Sequence, residues 1–239
     1  MDELKELPEG WELVKIKDIF DFKGGGTPSK ADPSFWNGQI YWASVKDIKG
    51  DYLLDTVDKI TQKGAENSAT NIAEPGDVIL ITRISPGKTI TTKIRAAINQ
   101  DLKIVKPKYE THSDFIKYLL KSIERKCIKL SSGTTVLGLS LNNLNEIETP
   151  FPPLPEQHRI VAKIEELFSS LDKGIENLKT AQAQLKTYRQ AVLKWAFEGK
   201  LTNENVKDGE LPEGWKWVQI DEIGKIETGS IDFMELFIA

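Results

Sequence analysis

The chain has 239 residues, 39% of them hydrophobic, with 32 Lys/Arg against 36 Asp/Glu and a formal net charge of −4. That excludes a disordered tail, a mini-protein that needs staples, and a chain that coats nucleic acid by bulk charge. A single cysteine, Cys127, excludes an intrachain disulfide and a cysteine-rich zinc site. The charged start MDELKELPEG and the lack of any apolar run of about 18 residues argue against a signal peptide and a membrane span. A cytoplasmic location, with no membrane partner, is the expectation.

In chain order, residues 1–153 read as one mixed α/β domain. Strands are expected at 12–16, 40–43, 78–82 and 97–105, where short apolar runs alternate with turn-forming clusters. A helix is expected at 114–130, opened by Ser113, with Ile116, Leu119, Ile123, Cys127 and Leu130 on its apolar face. Two loops, GGGTPSKADPSFWNG at 24–38 and RISPGKT at 83–89, bring Gly, Ser, Thr, Lys and Arg together, residue types that approach phosphates or reach base edges. Each loop alone also fits an ordinary solvated surface. From 83 to 129 there are 12 basic residues against 4 acidic ones, a stretch suited to facing phosphates.

After TPFPPLPEQ no proline occurs from 156 to 210, and a helix is expected over 155–199, ended by Gly199. Ile160, Ile164, Leu167, Leu171, Gly174, Leu178, Ala181, Leu185, Tyr188, Val192 and Trp195 recur at steps of four and three, the seam of a coiled coil. Small Gly174 and Ala181 would let a partner helix come close. The seam fits another chain, and it also fits a helix packed on its own domain. Length favours another helix as partner, because about 67 Å of helix overshoots a domain whose radius of gyration is about 15 Å. Ile164, Leu167, Leu171, Gly174, Leu178, Ala181, Leu185, Tyr188 and Val192 are the expected dimerisation positions.

Residues 202–239 read as a linker followed by the start of a second unit. LPEGWELVKIKDIFDFKGGG from Leu7 returns as LPEGWKWVQIDEIGKIETGS from Leu211, with 9 of 20 positions identical at a constant offset of 204. The sequence thus reads as one unit and the start of another, and homodimerisation would restore a two-unit plan.

The ordered set GGGTPSKADPSFWNGQIYWASVKDIKG, EPGDVILITR, AINQDLKIVKP and LSLNNLNEIETPFPPLPEQHRIVAKIEELFSSLD resembles the DNA-specificity subunit of type I restriction-modification systems, in a half-length form. PLPEQHRIVAKIE is its most specific element. The resemblance implies an α+β fold, a globular mixed α/β target-recognition domain (1–153) followed by a long coiled-coil helix (154–201). It implies a non-catalytic subunit that reads half of a bipartite sequence in double-stranded DNA and recruits modification (methyltransferase) and restriction subunits. S-adenosylmethionine, ATP and magnesium would be held by those partners, with no cofactor in this chain. Two identical domains paired by their helices would read a palindromic pair of half-sites.

Thr27, Ser29 and Lys30 in the first loop, Arg83, Ser85 and Lys88 in the second, and Lys46 between them are the expected DNA contacts. Arg83 is the expected base reader, since its planar fork can hold guanine O6 and N7 together; Lys30 and Lys88 suit phosphates. Trp36 and Trp42 suit core packing better than base stacking.

No catalytic or metal site is expected. Gly87-Lys88-Thr89 lacks the earlier glycine of a phosphate loop, since Thr82 stands there. No Asn-Pro-Pro-aromatic motif of an adenine methyltransferase occurs. His112 and His158 look isolated from each other, suited to capping or surface roles, and Asp47-Ile48-Lys49 lacks a second placed carboxylate for nuclease chemistry. A coiled-coil scaffold or assembly protein without sequence-specific DNA binding is the competing reading; it explains the helix and leaves the repeat and the basic stretch idle.

Overall fold

The structure, a computed structural model, describes residues 7–203 and 205–224. The later part of the second repeat copy, 225–239, and residues 1–6 of the first expected domain lie outside the described residues. The chain divides into two units between Phe168 and Ser169, inside the long helix.

The first unit runs β1 (Glu12–Lys15), α1 (Ile16–Ile19), β2 (Phe20–Gly24), β3 (Trp36–Ala43), β4 (Tyr52–Leu53), β5 (Asp58–Ile60), α2 (Gln62–Glu66), β6 (Ile72–Ala73), β7 (Val78–Ile81), β8 (Thr89–Thr92), β9 (Ala96–Ile98) and β10 (Leu102–Pro107). It continues with α3 (Ser113–Ser122), α4 (Glu124–Lys129), α5 (Leu141–Asn145), β11 (Glu148–Phe151) and the start of α6 (Leu154–Phe197). Three sheets form, in the orders β2-β10-β7-β8-β4, β5-β3-β9-β6 and β1-β11. The β3–β9 and β4–β8 pairs are parallel and the rest antiparallel.

The four residues of β7 show why the core sits where it does. Side chains alternate across a strand, so Val78 and Leu80 join a cluster with Phe115, Ile116, Leu119 and Leu120 of α3, while Ile79 and Ile81 join Ala43, Ala73, Ala96 and Ile98 of the second sheet. A strand covered on both faces has no need of polar alternation, and VILI is buried throughout.

The expected 12–16 strand ends one residue earlier, because Ile16 opens α1, and the 40–43 strand begins at Trp36. The expected 97–105 strand is two strands in different sheets, β9 and β10. Between them Asn99 accepts at Oδ1 from the Asp101 N–H at 3.1 Å, a side-chain turn that carries the chain from one sheet to the other. The expected 114–130 helix is broken at Ile123 (φ −95°, ψ 4°) into α3 and α4. Ser113 is the first helical residue and His112 holds the cap position without a side-chain cap. Ile116, Leu119, Ile123 and Cys127 are buried as expected; Leu130, the residue that follows α4, is exposed.

Helix α6 has 44 residues, about 66 Å at 1.5 Å per residue. Its start is fastened by Gln157, which is buried, donates through Nε2 to the Pro152 carbonyl at 3.0 Å and accepts the His112 N–H at 3.1 Å. Val161 enters the same core as α3, and Ile160 packs against it.

In the second unit α6 ends at a glycine in the left-handed conformation, Gly199 (φ 73°). The Lys200 N–H reaches the Trp195 carbonyl and the Gly199 N–H that of Ala196, the double bond pattern of a Schellman stop. The second repeat copy reproduces the local geometry of the first. Trp11 and Trp215 each donate their N–H to the carbonyl of the proline three residues earlier, at 3.0 Å, and Gly10 and Gly214 share a positive φ (79° and 84°). Helix α7 (Ile220–Ile223) stands 204 residues after α1. Burial differs: Ile16 is 0% exposed, whereas Ile220 is 66% exposed.

Candidate functional site

The first loop lies flush on the chain switch between the sheets. A side chain at Gly25 would run into the carbonyl oxygens of Ile98 and Asn99, and a Cβ at Gly26 would stand 2.7 Å from the carbonyl carbon of Ala69. These two positions require glycine for the approach alone. The Gly26 N–H donates to the Ile98 carbonyl at 3.0 Å and Asn71 Nδ2 to the Gly24 carbonyl at 2.7 Å. Two indoles hold the loop from below: Trp42 Nε1 donates to the Gly26 carbonyl and Trp36 Nε1 to the Ser29 carbonyl, each at 3.0 Å. Their rings meet edge to face at 5.2 Å. The tryptophans therefore position the loop, in keeping with a packing role, and Thr27, Ser29 and Lys30 remain exposed beyond them.

The second loop is pinned from three sides. Thr82 donates to the Asp101 carbonyl through both N–H (2.9 Å) and Oγ1 (3.0 Å), and its own carbonyl accepts from the Leu139 N–H at 2.8 Å. Ile84 donates its N–H to the Leu137 carbonyl at 2.9 Å. Gly87 has φ 92°, and a Cβ there would lie 2.9 Å from Cys127 Cβ and 3.0 Å from Glu124 Cα, so the loop rests directly on α4. Burial beneath it pushes the Cys127 thiol up to about 11, which keeps it protonated and inert at neutral pH.

The turn 99–101 joins the two loops. Thr27 Oγ1 donates to Gln100 Oε1, Gln100 Nε2 lies 3.5 Å from Asp101 Oδ2, and Arg83 Nη1 lies 3.5 Å from Asp101 Oδ1. That last ion pair is loose: Oδ1 has no hydrogen-bond partner among the described residues, and more than half of the Arg83 side chain is exposed. At this separation, with its own side chain more than half exposed, the guanidinium faces Asp101 and stays open to solvent. Lys103 donates to the Gln100 carbonyl at 2.7 Å, and burial pushes its pKa below the usual lysine value while Asp101 works the other way.

Of the seven expected contact residues, Thr27 and Arg83 are thus linked through one turn, with Ser29 and Lys30 on the first loop and Ser85 and Lys88 on the second. Lys30 and Lys88 have no ion pair among the described residues. Lys46 is placed differently. It binds Asp58 at 2.6 Å, a hydrogen bond that raises its pKa, and among the described residues no hydrogen bond or ion pair ties it to the turn. Gln100, Asp101 and Lys103 went unread as site residues, although the polar triplet NQD between two apolar runs was a turn signal. The loop SSGTTVLG at 131–138 also went unread. It flanks Arg83 through an isolated bridge at Gly138.

The basic excess of the 83–129 stretch is smaller in space than in sequence. Arg95, Lys106, Lys108 and Lys121 pair with Glu74, Asp77, Asp21 and Asp51, all outside the stretch. The histidines are not isolated from each other: the His112 and His158 rings meet edge to face at 4.7 Å, because Gln157 brings the starts of α3 and α6 together. Asp47 is fully used in structure, accepting from Ser44 N–H, Ser44 Oγ and the Val57 N–H. Among the described residues no group of three or more His, Cys, Asp or Glu is arranged to hold a metal.

On α6 the expected seam divides in two. Ile160 and Ile164 are half-buried and line an apolar groove with Trp11, Phe115, Tyr118 and Leu119 of the first unit. From Leu167 onward Leu171, Leu178, Leu185 and Tyr188 are exposed, Leu178 by 72%, and Gly174 has open space at its Cα. Ala181 is exposed and Val192 half-buried.

A model of the type I restriction modification DNA specificity domain matches residues 8–186. The chain belongs to that family. It is 30% identical over 240 residues to the type I restriction enzyme MjaIX specificity subunit of Methanocaldococcus jannaschii, covering 95% of this chain and 55% of the relative. With the EcoR124I/EcoR124II specificity subunit of Escherichia coli the identity is 28%, over 84% of this chain and 53% of the relative. The HsdS subunit of Thermoanaerobacter tengcongensis has the same fold, with a TM-score of 0.61 at 25% identity over 84% of this chain and 48% of that one. The chain thus spans about half the length of the curated relatives it matches. No helix among the described residues is long and apolar enough to cross a membrane.

Proposed function

We propose that this chain is a non-catalytic DNA-reading subunit of a type I restriction-modification complex, and that its first unit reads one half-site of a bipartite target in double-stranded DNA. The observation that carries this reading is the meeting of two loops, one bearing exposed Thr27, Ser29 and Lys30 and the other exposed Arg83 and Lys88 with half-buried Ser85, at the single turn 99–101 through Thr27 and Arg83. A loosely paired arginine, hydroxyls, and two lysines without an ion pair among the described residues, carried on two loops that share one turn, make up a side-chain inventory suited to reading base edges and gripping phosphates. Two copies pair through the exposed part of the α6 seam and present two identical readers, so the target is palindromic with an unread spacer. Two-fold geometry favours antiparallel helices, although the heptad alone also fits a parallel pair. Modification and restriction subunits supply the chemistry, and with them S-adenosylmethionine, ATP and magnesium. A DNA reader of this kind works in the cytoplasm, where the DNA is.

The test is selection from a library of randomised DNA duplexes by the complex of this chain with its modification subunits, followed by sequencing. A palindromic consensus with a fixed gap is expected. Recovery of unselected sequence would overturn the reading and leave a scaffold.

A further inference from the structure

Ile84 has φ 73°, in the left-handed region, where a β-branched residue stands only if its surroundings hold it there. They do. Thr82 is bonded to Asp101 and Leu139, Ile84 itself to Leu137, Gly87 to Ile81 and Lys88 to Ser85. The side chain presented at this strained position is 57% exposed. Core packing therefore does not select isoleucine here, and neither does the backbone: glycine would remove the strain and asparagine would tolerate it. What remains is a use for the side chain itself. Arg83 precedes it in the chain, and its own N–H is bonded to the carbonyl of Leu137, which is exposed together with Val136. An exposed apolar tip on the residue next to an exposed arginine matches the major-groove edge of DNA, where the thymine C5-methyl is the one apolar group on display.

We propose that Ile84 reads a thymine methyl at the base pair beside the one contacted by Arg83, and that the backbone strain is retained to present it. The inference rests on the DNA-reading function proposed above. The complex with modification subunits selects from two randomised duplex libraries, one with thymidine and one with deoxyuridine throughout, which lacks only that methyl. The wild type is expected to favour thymine at one column next to the Arg83 column, and to lose about fourfold of that preference in the deoxyuridine library, the worth of one buried methyl-sized group. Ile84→Gly is expected to lose the same column in the thymidine library, to show no further loss with deoxyuridine, and to melt no lower than the wild type. Ile84→Asn, which keeps a side chain on a tolerated backbone, is expected to lose it too.

A column lost on mutation but kept with deoxyuridine would mean a wedge between bases and overturns the methyl contact. An unchanged consensus with weakened assembly would make Ile84 a protein contact and overturns it as well. If the wild type selects no consensus in either library, the DNA-reading function itself fails, a result distinct from a consensus that ignores Ile84.

Discussion

Thr27 and Gln100, 73 residues apart in sequence, share a hydrogen bond that ties the glycine-rich loop to the turn between β9 and β10, and the next residue of that turn, Asp101, faces Arg83. One short turn thereby sets the separation between two loops from distant parts of the chain. Its own geometry is fixed by Asn99, whose side chain both accepts from the Asp101 N–H and donates to Asp101 Oδ2. A rigid turn carrying two exposed loops is a suitable platform for reading sequence, because contacts built on it lose little freedom on binding.

Arg83 and Lys88 should behave differently when removed. Arg83→Ala takes away a planar fork and is expected to cost about 1–3 kcal/mol at one position of the target, relaxing preference there. Lys88→Ala removes an exposed charge that has no ion pair among the described residues. It is expected to weaken all duplexes alike and to lower the slope of log affinity against log salt by about 1. Titration of consensus and single-mismatch duplexes at several salt concentrations separates the two; identical behaviour would abolish the distinction between base reader and phosphate contact.

The long helix was legible because its seam is periodic over eleven positions and Gly199 marks its end, local signals that survive whatever packs around them. The central strand VILI was legible for a similar reason. The turn 99–101 was not: AAINQDLKIV is apolar on both sides of three polar residues, and which sheet each side joins depends on strands far away in sequence. The break at Ile123 was hidden because the apolar face continues through it, with Leu119 and Cys127 in the same core. The site residues were half legible. Residue type named Thr27 and Arg83, but their connection runs through Gln100 and Asp101, and only the tertiary fold brings those between them. Lys46 shows the converse error, a suitable residue type whose charge is already engaged by Asp58.

Gln157 fastens the start of α6 by a buried hydrogen bond to the Pro152 carbonyl and a part-buried one from the His112 N–H. Gln157→Ala takes this partner from the buried Pro152 carbonyl and from the part-buried His112 N–H. A loss of about 1–3 kcal/mol of stability is expected. Gln157→Glu loses the donor and buries a carboxylate against the Pro152 carbonyl oxygen, and should cost at least as much. Urea unfolding followed by far-ultraviolet circular dichroism measures this; a wild-type midpoint for the alanine variant would show that the helix start is held by Val161 and Ile160 alone.

Acid should loosen the junction between α1 and α5. Glu146 binds Lys15 at 2.7 Å and Lys17 at 2.6 Å, and hydrogen bonds from these lysines pull its carboxyl down to about 2. A carboxylate lowered on folding gives stability that is complete above its unfolded value near 4.3 and is lost as the pH falls through the folded value. The contribution should therefore decline between about pH 4 and pH 2. Glu146→Gln is expected to be less stable than the wild type at pH 7 and to converge with it toward pH 2. A constant difference between the two across that range, in urea midpoints at stepped pH, would show that the lysines do not hold this carboxylate.

The exposed half of the α6 seam carries the clearest expectation about assembly. Leu171, Leu178, Leu185 and Tyr188 lie at heptad positions, and each is more than half exposed. Burying such a side chain is worth about 1.5–3 kcal/mol, enough over several positions to drive pairing at micromolar concentration. Gly174 leaves room at its Cα for close approach of a second helix. Sedimentation across a dilution series should give a mass near twice 26.9 kDa. Changing Leu178 and Leu185 together to Glu places two like charges in the seam of each copy and should halve that mass without altering the far-ultraviolet spectrum of the first unit. The same variant should lose the palindromic gap from the selected consensus while keeping a single half-site. If the wild type sediments as a monomer at every concentration, the seam belongs to another subunit of the complex, and the two half-sites of the target need not be alike.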